Sequence, residues 1–329
     1  MADQTNAQQL SLFPDSDSPS RGERQKRDAR PSLQLNARSP LSRAIGAFEP
    51  YMEGRGFTDN TQQAFRLDME LLSDYLGPDK TLGEISTGSL NAFLKWMESG
   101  RGVPCSPKTL ERRITTLKVF FGWLAEEGYL TRDLAAPLIH RTVSTPLPDV
   151  LTEAEVDAIL EVTERHYHGA AGDEPDARPH LIFTLVLHTG IKKGECVNIH
   201  LNHLDLNNAG HPAVWIRYKD ARRRHKERRI ALPSWWVEVL EAYRTQYRLK
   251  EMLFPWSARN LEYVLTGVAE EAGVSRLSFE MIRWTSALRD FVDEMDRERL
   301  RIKMGLSQIS WYEVEDKLSR LAQLRALRR

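Results

Sequence analysis

The sequence predicts a mainly α-helical chain in two domains, the second carrying one small β-hairpin. Three observations predict it. Apolar residues recur at helical spacing over almost all of residues 41 to 139. A proline-bearing stretch, TVSTPLPDV, then interrupts the periodicity, and a new helix signal follows at once. Farther on, two strand-like runs, AVWIRY and RRIALP, flank a loop dense in arginine. With 329 residues and 41% hydrophobic composition, the chain has the apolar content to build cores in about two domains.

Residues 1 to 38 are polar and rich in Ser, Pro and Arg, and they predict a disordered basic arm. Residues 39 to 142 predict an all-α domain. In SRAIGAFEPYMEGRG, Ile45, Phe48, Tyr51 and Met52 share one face. In TDNTQQAFRLDMELLSDYLGP, a cap at Thr58 or Asp59 precedes Phe65, Met69, Leu72 and Leu76, and Gly77-Pro78 ends the helix. TGSLNAFLKWMESG is a short third helix. In SPKTLERRITTLKVFFGWLAEEGYL, Pro107 stands just inside a Ser106 cap. Residues 143 to 150 read as a linker, and 151 to 316 as the second domain. That domain opens with a Thr152 to Glu155 capping box and continues through HLIFTLVLHTG, the hairpin and LFPWSARNLEYVLTGVAEEAGV. Residues 317 to 329 predict a C-terminal basic helix, with Leu318, Leu321, Leu324 and Leu327 at every third position.

No run of about 18 apolar residues exists, which excludes a membrane-spanning helix. The first residues lack the apolar stretch of a secretory signal. The two cysteines, Cys105 and Cys196, support neither a disulfide framework nor a metal knuckle, so a reducing cytoplasm is expected. A turn after Ile199 is expected to separate Cys196 from His200 and His203, and no metal or cofactor is predicted. His166 and His168 read as loop residues, and Trp235 and Trp236 as packing at a helix start. Lys and Arg total 46 against 46 Asp and Glu, but the charge is clustered: residues 215 to 229 hold eight basic side chains, and the last thirteen residues hold five. Attraction for phosphate acts over roughly 10 Å at moderate salt, so local density outweighs the zero sum. Taken alone, the basic loop is either a solvated hairpin or a phosphate-binding surface.

The order of elements and six segments carry a resemblance. PDVLTEAEVDAIL, LVLHTGIKKGECVNIHLNHLDL, HKERRIALP, LFPWSARNLEYVLTGVAEEAGV, EMIR and MGLSQIS, taken with the preceding helices, resemble the tyrosine recombinases of the phage integrase family over about residues 41 to 329. The resemblance implies a two-domain, C-shaped DNA clamp: a SAM-like, core-binding helical domain followed by a catalytic-fold domain. It also implies strand cleavage by a tyrosine hydroxyl, with two arginines and a His or Trp donor stabilising charge on the scissile phosphate and a hairpin lysine protonating the leaving oxygen.

The matched positions depart from that pattern. Where the family has TGLR, TGIK places Lys192, a cation without the guanidinium fork that matches a phosphate. Lys219 matches the hairpin lysine, across a loop longer than usual. The HxxR box appears as EMIR, keeping Arg283 but replacing the histidine by Glu280. Leu306 stands at the donor of a GH pair, and the nucleophile's position falls on Glu315. Tyr312, three residues earlier, is either a rival nucleophile or a packing residue beside Trp311. A carboxylate about 4 Å from a phosphate charge is repelled by ~4 kcal/mol at an effective dielectric near 20, so Glu280 is expected to pair with Lys192 or Arg283.

The resemblance therefore implies a catalytically degenerate, sequence-specific duplex-DNA-binding protein acting beside an active recombinase or transposition protein of a mobile element. Lys219, Arg222, Arg223, Arg224, Lys226 and Arg228 are expected on phosphates, with Lys108, Arg112 and Arg113 from the first domain. Two alternatives stay open: an active site-specific recombinase using Tyr312, and a transcriptional or segregation regulator reusing the fold. The last segment is expected either in a neighbouring protomer's groove or folded back on its own domain. A nucleoid-associated location follows from DNA binding.

Overall fold

The computed structural model describes residues 35–103, 105–139, 146–169, 174–207 and 210–327. The chain divides into two compact units, Met1–Thr145 and Pro146–Arg329.

In the first unit, four helices pack around one aromatic-rich core: α1 (Leu41–Gly54), α2 (Asp59–Leu76), α3 (Thr87–Lys95) and α4 (Pro107–Glu126). Each of the last three starts on a hydroxyl that accepts a main-chain N–H three residues on: Thr58 from Thr61, Ser86 from Ser89 and Ser106 from Thr109. Phe48, Phe120 and Trp123 meet with ring centroids 5.1 to 5.8 Å apart. Order begins earlier than the sequence predicts: Leu35 is already buried in this core and Ser39 is held by Asn36. The predicted arm otherwise lies outside the described residues.

The second unit runs α5 (Glu153–His168), α6 (Arg178–Thr189), α7 (Lys193–Cys196), β1 (Leu204–Asp205), β2 (Ala213–Ile216), β3 (Arg228–Ala231), α8 (Trp236–Tyr247), α9 (Ala258–Glu271), α10 (Phe279–Val292), α11 (Arg297–Lys303) and α12 (Gln308–Ala326). Its sheet is antiparallel in the order β1-β2-β3, with Val214 opposite Ile230. The predicted hairpin is therefore the larger part of a three-stranded sheet. Val214, Ile216 and Ile230 point into the main core, while Trp215 and Arg229 face outward, as the two-residue period of a strand requires. Helix α6 is buried nearly all round and stops at Gly190, whose left-handed φ of 60° reverses the chain.

Three expectations are corrected. His166 and His168 belong to the last turn of α5, where His166 pairs with Glu271 at 2.8 Å. Leu147 and Val150, read as linker, pack against a second cluster of this unit with Trp284, Leu288 and Leu318. Residues 317 to 326 form no separate helix but continue α12, with Leu318 and Leu321 buried in its own unit and Arg325 bonded to Glu153 at 2.6 Å. The last two residues lie outside the described part. Among the described residues no helix is long and apolar enough to cross a membrane.

Candidate nucleic-acid interface

The reversal at Gly190 brings the end of α6, the start of α7 and the middle of α10 together. Arg283, on α10, is 4% exposed, and its two terminal nitrogens donate to the main-chain carbonyls of Gly190 and Met304, the latter at 2.7 Å. Lys192 caps α7 and is half-buried; burial first, then repulsion from Arg283, lowers its ammonium pKa. Among the described residues no carboxylate lies within ion-pair distance of Lys192. The two candidate cations thus lie near enough to act on each other through space.

Beneath them is a buried carboxylate. Glu195 accepts from Arg228 Nη2 at 2.8 Å and Nη1 at 3.1 Å, from the main-chain N–H of Lys192 at 2.9 Å, and from the Tyr218 hydroxyl. Burial alone pushes this carboxyl up; the hydrogen bonds and charge of Arg228, with the Lys192 N–H and the Tyr218 hydroxyl, more than offset it and bring it to about 2. Arg228 Nε donates to the Lys303 carbonyl at 2.8 Å, one residue before the carbonyl that holds Arg283. Glu195 therefore keeps Lys192, the base of the basic loop and the Arg283 pocket in register.

Glu280 does not pair with a cation, contrary to expectation. It is exposed on the first turn of α10, and its Oε1 accepts from Trp284 Nε1 at 2.8 Å, one turn along the same helix. It acts on Arg283 only through space, while the two hydrogen bonds of the Arg283 terminal nitrogens go to main chain. Leu306 is half-buried, and its carbonyl accepts from Arg301 at 2.6 Å. Glu315 lies on α12 within 3.8 Å of Arg297, with no bond to Arg283 or Lys192. Tyr312 is 73% exposed on the first turns of α12, so the packing role belongs to buried Trp311 alone.

The basic loop spans β2 to β3 and folds into a short 3-10 helix, Ala221–Lys226, capped by Asp220. Lys219, Arg222, Arg223 and Arg224 are exposed, and Lys226 is half-buried. Two expected phosphate ligands are corrected. Arg228 alternates inward along β3 and is spent on Glu195; Arg113, on α4, is 7% exposed, held by Asp68 at 3.3 Å and by Cys105 Sγ at 2.9 Å. A buried guanidinium paired this way does not reach a phosphate. Arg112 also bonds Asp68 but keeps part of its side chain in solvent, and Lys108 is exposed. Glu195 and Tyr218 were not singled out from sequence; the available signal was an acid three residues after Lys192, the spacing that reaches back to a helix's first N–H. Among the described residues no cluster of three metal-ligating side chains occurs.

Residues 45–128 match the family model described as phage integrase, N-terminal SAM-like domain. The chain is 27% identical over 290 residues to a tyrosine recombinase XerC of Corynebacterium efficiens, covering 83% of this chain and 86% of that protein. It is 24% identical over 206 residues to a tyrosine recombinase of Thermosipho africanus, covering 62% and 67%. Among solved structures, XerH site-specific recombinase bound to a palindromic difH substrate matches with a TM-score of 0.70 and 16% identity, over 89% of this chain and 98% of that one. A lambda integrase dimer bound to a COC' core site matches with a TM-score of 0.64 and 18% identity, over 85% and 78%. The fold is that of the tyrosine recombinases.

Proposed function

We propose that this chain is a sequence-specific duplex-DNA-binding protein of DNA recombination or integration whose own strand-cleavage site has lost its chemistry. It serves a mobile element beside an active recombinase or transposition protein. The observation that carries this reading is the contrast between two sets of cations. Lys219, Arg222, Arg223 and Arg224 are exposed with no carboxylate at ion-pair distance among the described residues, so they are available to phosphates. Arg283 is buried and gives one N–H from each terminal nitrogen to a main-chain carbonyl, and in the register of the resemblance Glu280 and Glu315 stand at the positions of a phosphate-stabilising donor and an attacking hydroxyl. Base readout is assigned to helices in the major groove.

A second reading, an active recombinase using Tyr312, draws on the exposure of that hydroxyl. One experiment separates the two. The full chain is incubated with nicked suicide duplexes carrying its selected binding site. Duplex retention without a covalent adduct is expected; an adduct that disappears in Tyr312→Phe overturns the degenerate reading and establishes the enzyme. Failure to retain any duplex overturns both.

A further inference from the structure

The basic loop is closed at its base in a way that phosphate binding alone does not explain. Tyr218 stands two residues past β2, directly before Lys219, and makes three separate contacts. Its main-chain N–H donates to Glu227 Oε1 at 3.0 Å, tying the two ends of the loop together. Its hydroxyl donates to the buried Glu195 carboxylate, which Arg228 and the Lys192 N–H already hold. Its ring lies under the Arg223 guanidinium, 4.5 Å from ring centroid to Cζ. One residue thereby joins the loop's two ends, its middle and the buried Glu195 carboxylate.

A loop of this charge repels itself, and left untethered it samples many conformations that must be ordered when DNA binds. The geometry points to Tyr218 as a positioning residue that pre-sets the loop, holding Lys219 and Arg223 ready for the phosphates of duplex DNA. This inference rests on the DNA-binding reading above and deepens it. Tyr218 itself touches no phosphate: its hydroxyl is turned inward onto Glu195. Burial and the neighbouring carboxylate raise its phenol pKa further above neutrality, where the hydroxyl is in any case a donor.

The test uses the full chain, its Tyr218→Phe variant and Arg223→Ala, with a short mixed-sequence DNA duplex as probe. Affinity is measured across a salt series, and trypsin cleavage at Arg222 to Arg224 is followed without DNA. Tyr218→Phe keeps the ring under Arg223 and removes only the anchor to Glu195. It is expected to weaken binding about tenfold, with the slope of log affinity against log salt unchanged, because the same phosphates are still engaged. Arg223→Ala, which takes one cation off a phosphate, is expected to lower that slope by about one. Cleavage in Tyr218→Phe should accelerate in the loop only.

A slope lowered by about one in Tyr218→Phe means that a cation has left its phosphate, since a neutral phenol releases no counterion, and overturns the inference that the loop engages the same phosphates at a higher ordering cost. So does wild-type affinity with wild-type cleavage, and so does cleavage that rises equally throughout the unit, which marks a merely structural tyrosine. If the wild-type chain binds no duplex, the DNA-binding reading fails by itself. The loop-specific cleavage rate then still decides whether Tyr218 is the anchor.

Discussion

Glu195 is the residue on which the second unit's polar interior depends. Replacing it by Gln leaves Arg228 buried without its counter-charge, and breaking a buried pair from one side costs ~3–5 kcal/mol. Glu195→Gln should lose that much unfolding free energy in urea titrations at neutral pH. The acid limb has a definite sign. The folded-state value of about 2 lies below the ordinary 4.5, so the stability Glu195 contributes is complete above pH 4.5 and drains away as pH falls toward about 2. The variant should show a flatter decline across that window; a decline as steep as wild type would mean that other carboxyls set the acid limb. In the first unit Asp68 holds the matching place, bonded by Arg112, Arg113 and Thr116. Asp68→Ala should destabilise by a comparable ~3–5 kcal/mol in the same titration, while a loss under ~1 kcal/mol would mean that Cys105 suffices for Arg113. Neither acid was legible beforehand. A sequence shows an acid and an arginine many positions apart, and only the fold decides which arginine turns inward, as Arg228 does by strand alternation.

At the level of elements, helices were the legible part because caps and periodicity are local. Thr58, Ser106 and Thr152 all cap where their sequence signals place them. The leucines of α12 show the limit of such reading. A three-residue step turns an α-helix by about −60°, so three steps from Leu318 to Leu327 rotate the side chain to roughly the opposite face. Leu318 is accordingly buried, Leu321 nearly so, Leu324 half in solvent and Leu327 83% exposed. What reads as a stripe in sequence is a slow spiral. Leu318→Ala should cost ~2–5 kcal/mol by denaturant unfolding and Leu327→Ala close to nothing. Equal costs would show that α12 seats itself elsewhere in solution.

For the molecule as a whole, a formal charge of zero conceals the property that matters: among the described residues many arginines lie against carboxylates, as Arg229 does against Asp205, whereas Lys219, Arg222, Arg223 and Arg224 are exposed without one. Changing Arg222, Arg223 and Arg224 together to Ala should reduce the salt dependence of duplex binding by ~2.7 in the log–log slope, ~0.9 for each phosphate that is no longer neutralised. An unchanged slope would move the DNA surface elsewhere. The fold class was legible from the order of elements, since helical domain, proline stretch and basic hairpin each leave a local trace. The candidate site was legible as a set of positions and not as a set of bonds. Lys192 and Arg283 act on each other through space, but the partner foreseen for them, Glu280, turns to Trp284 instead.

Helix α12 also sets a mechanical condition on any movement of its first turns. Tyr312 and Glu315 ride on the same rigid rod as Trp311, Leu318 and Leu321, whose side chains are sunk in the second unit. Swinging the tyrosine toward a distant atom would lever those three anchors out of their sockets, or else require the rod to snap between residues 312 and 318. Chemistry at Tyr312, if any is found, would therefore keep time with the uprooting of the C-terminal helix rather than with the encounter between protein and DNA.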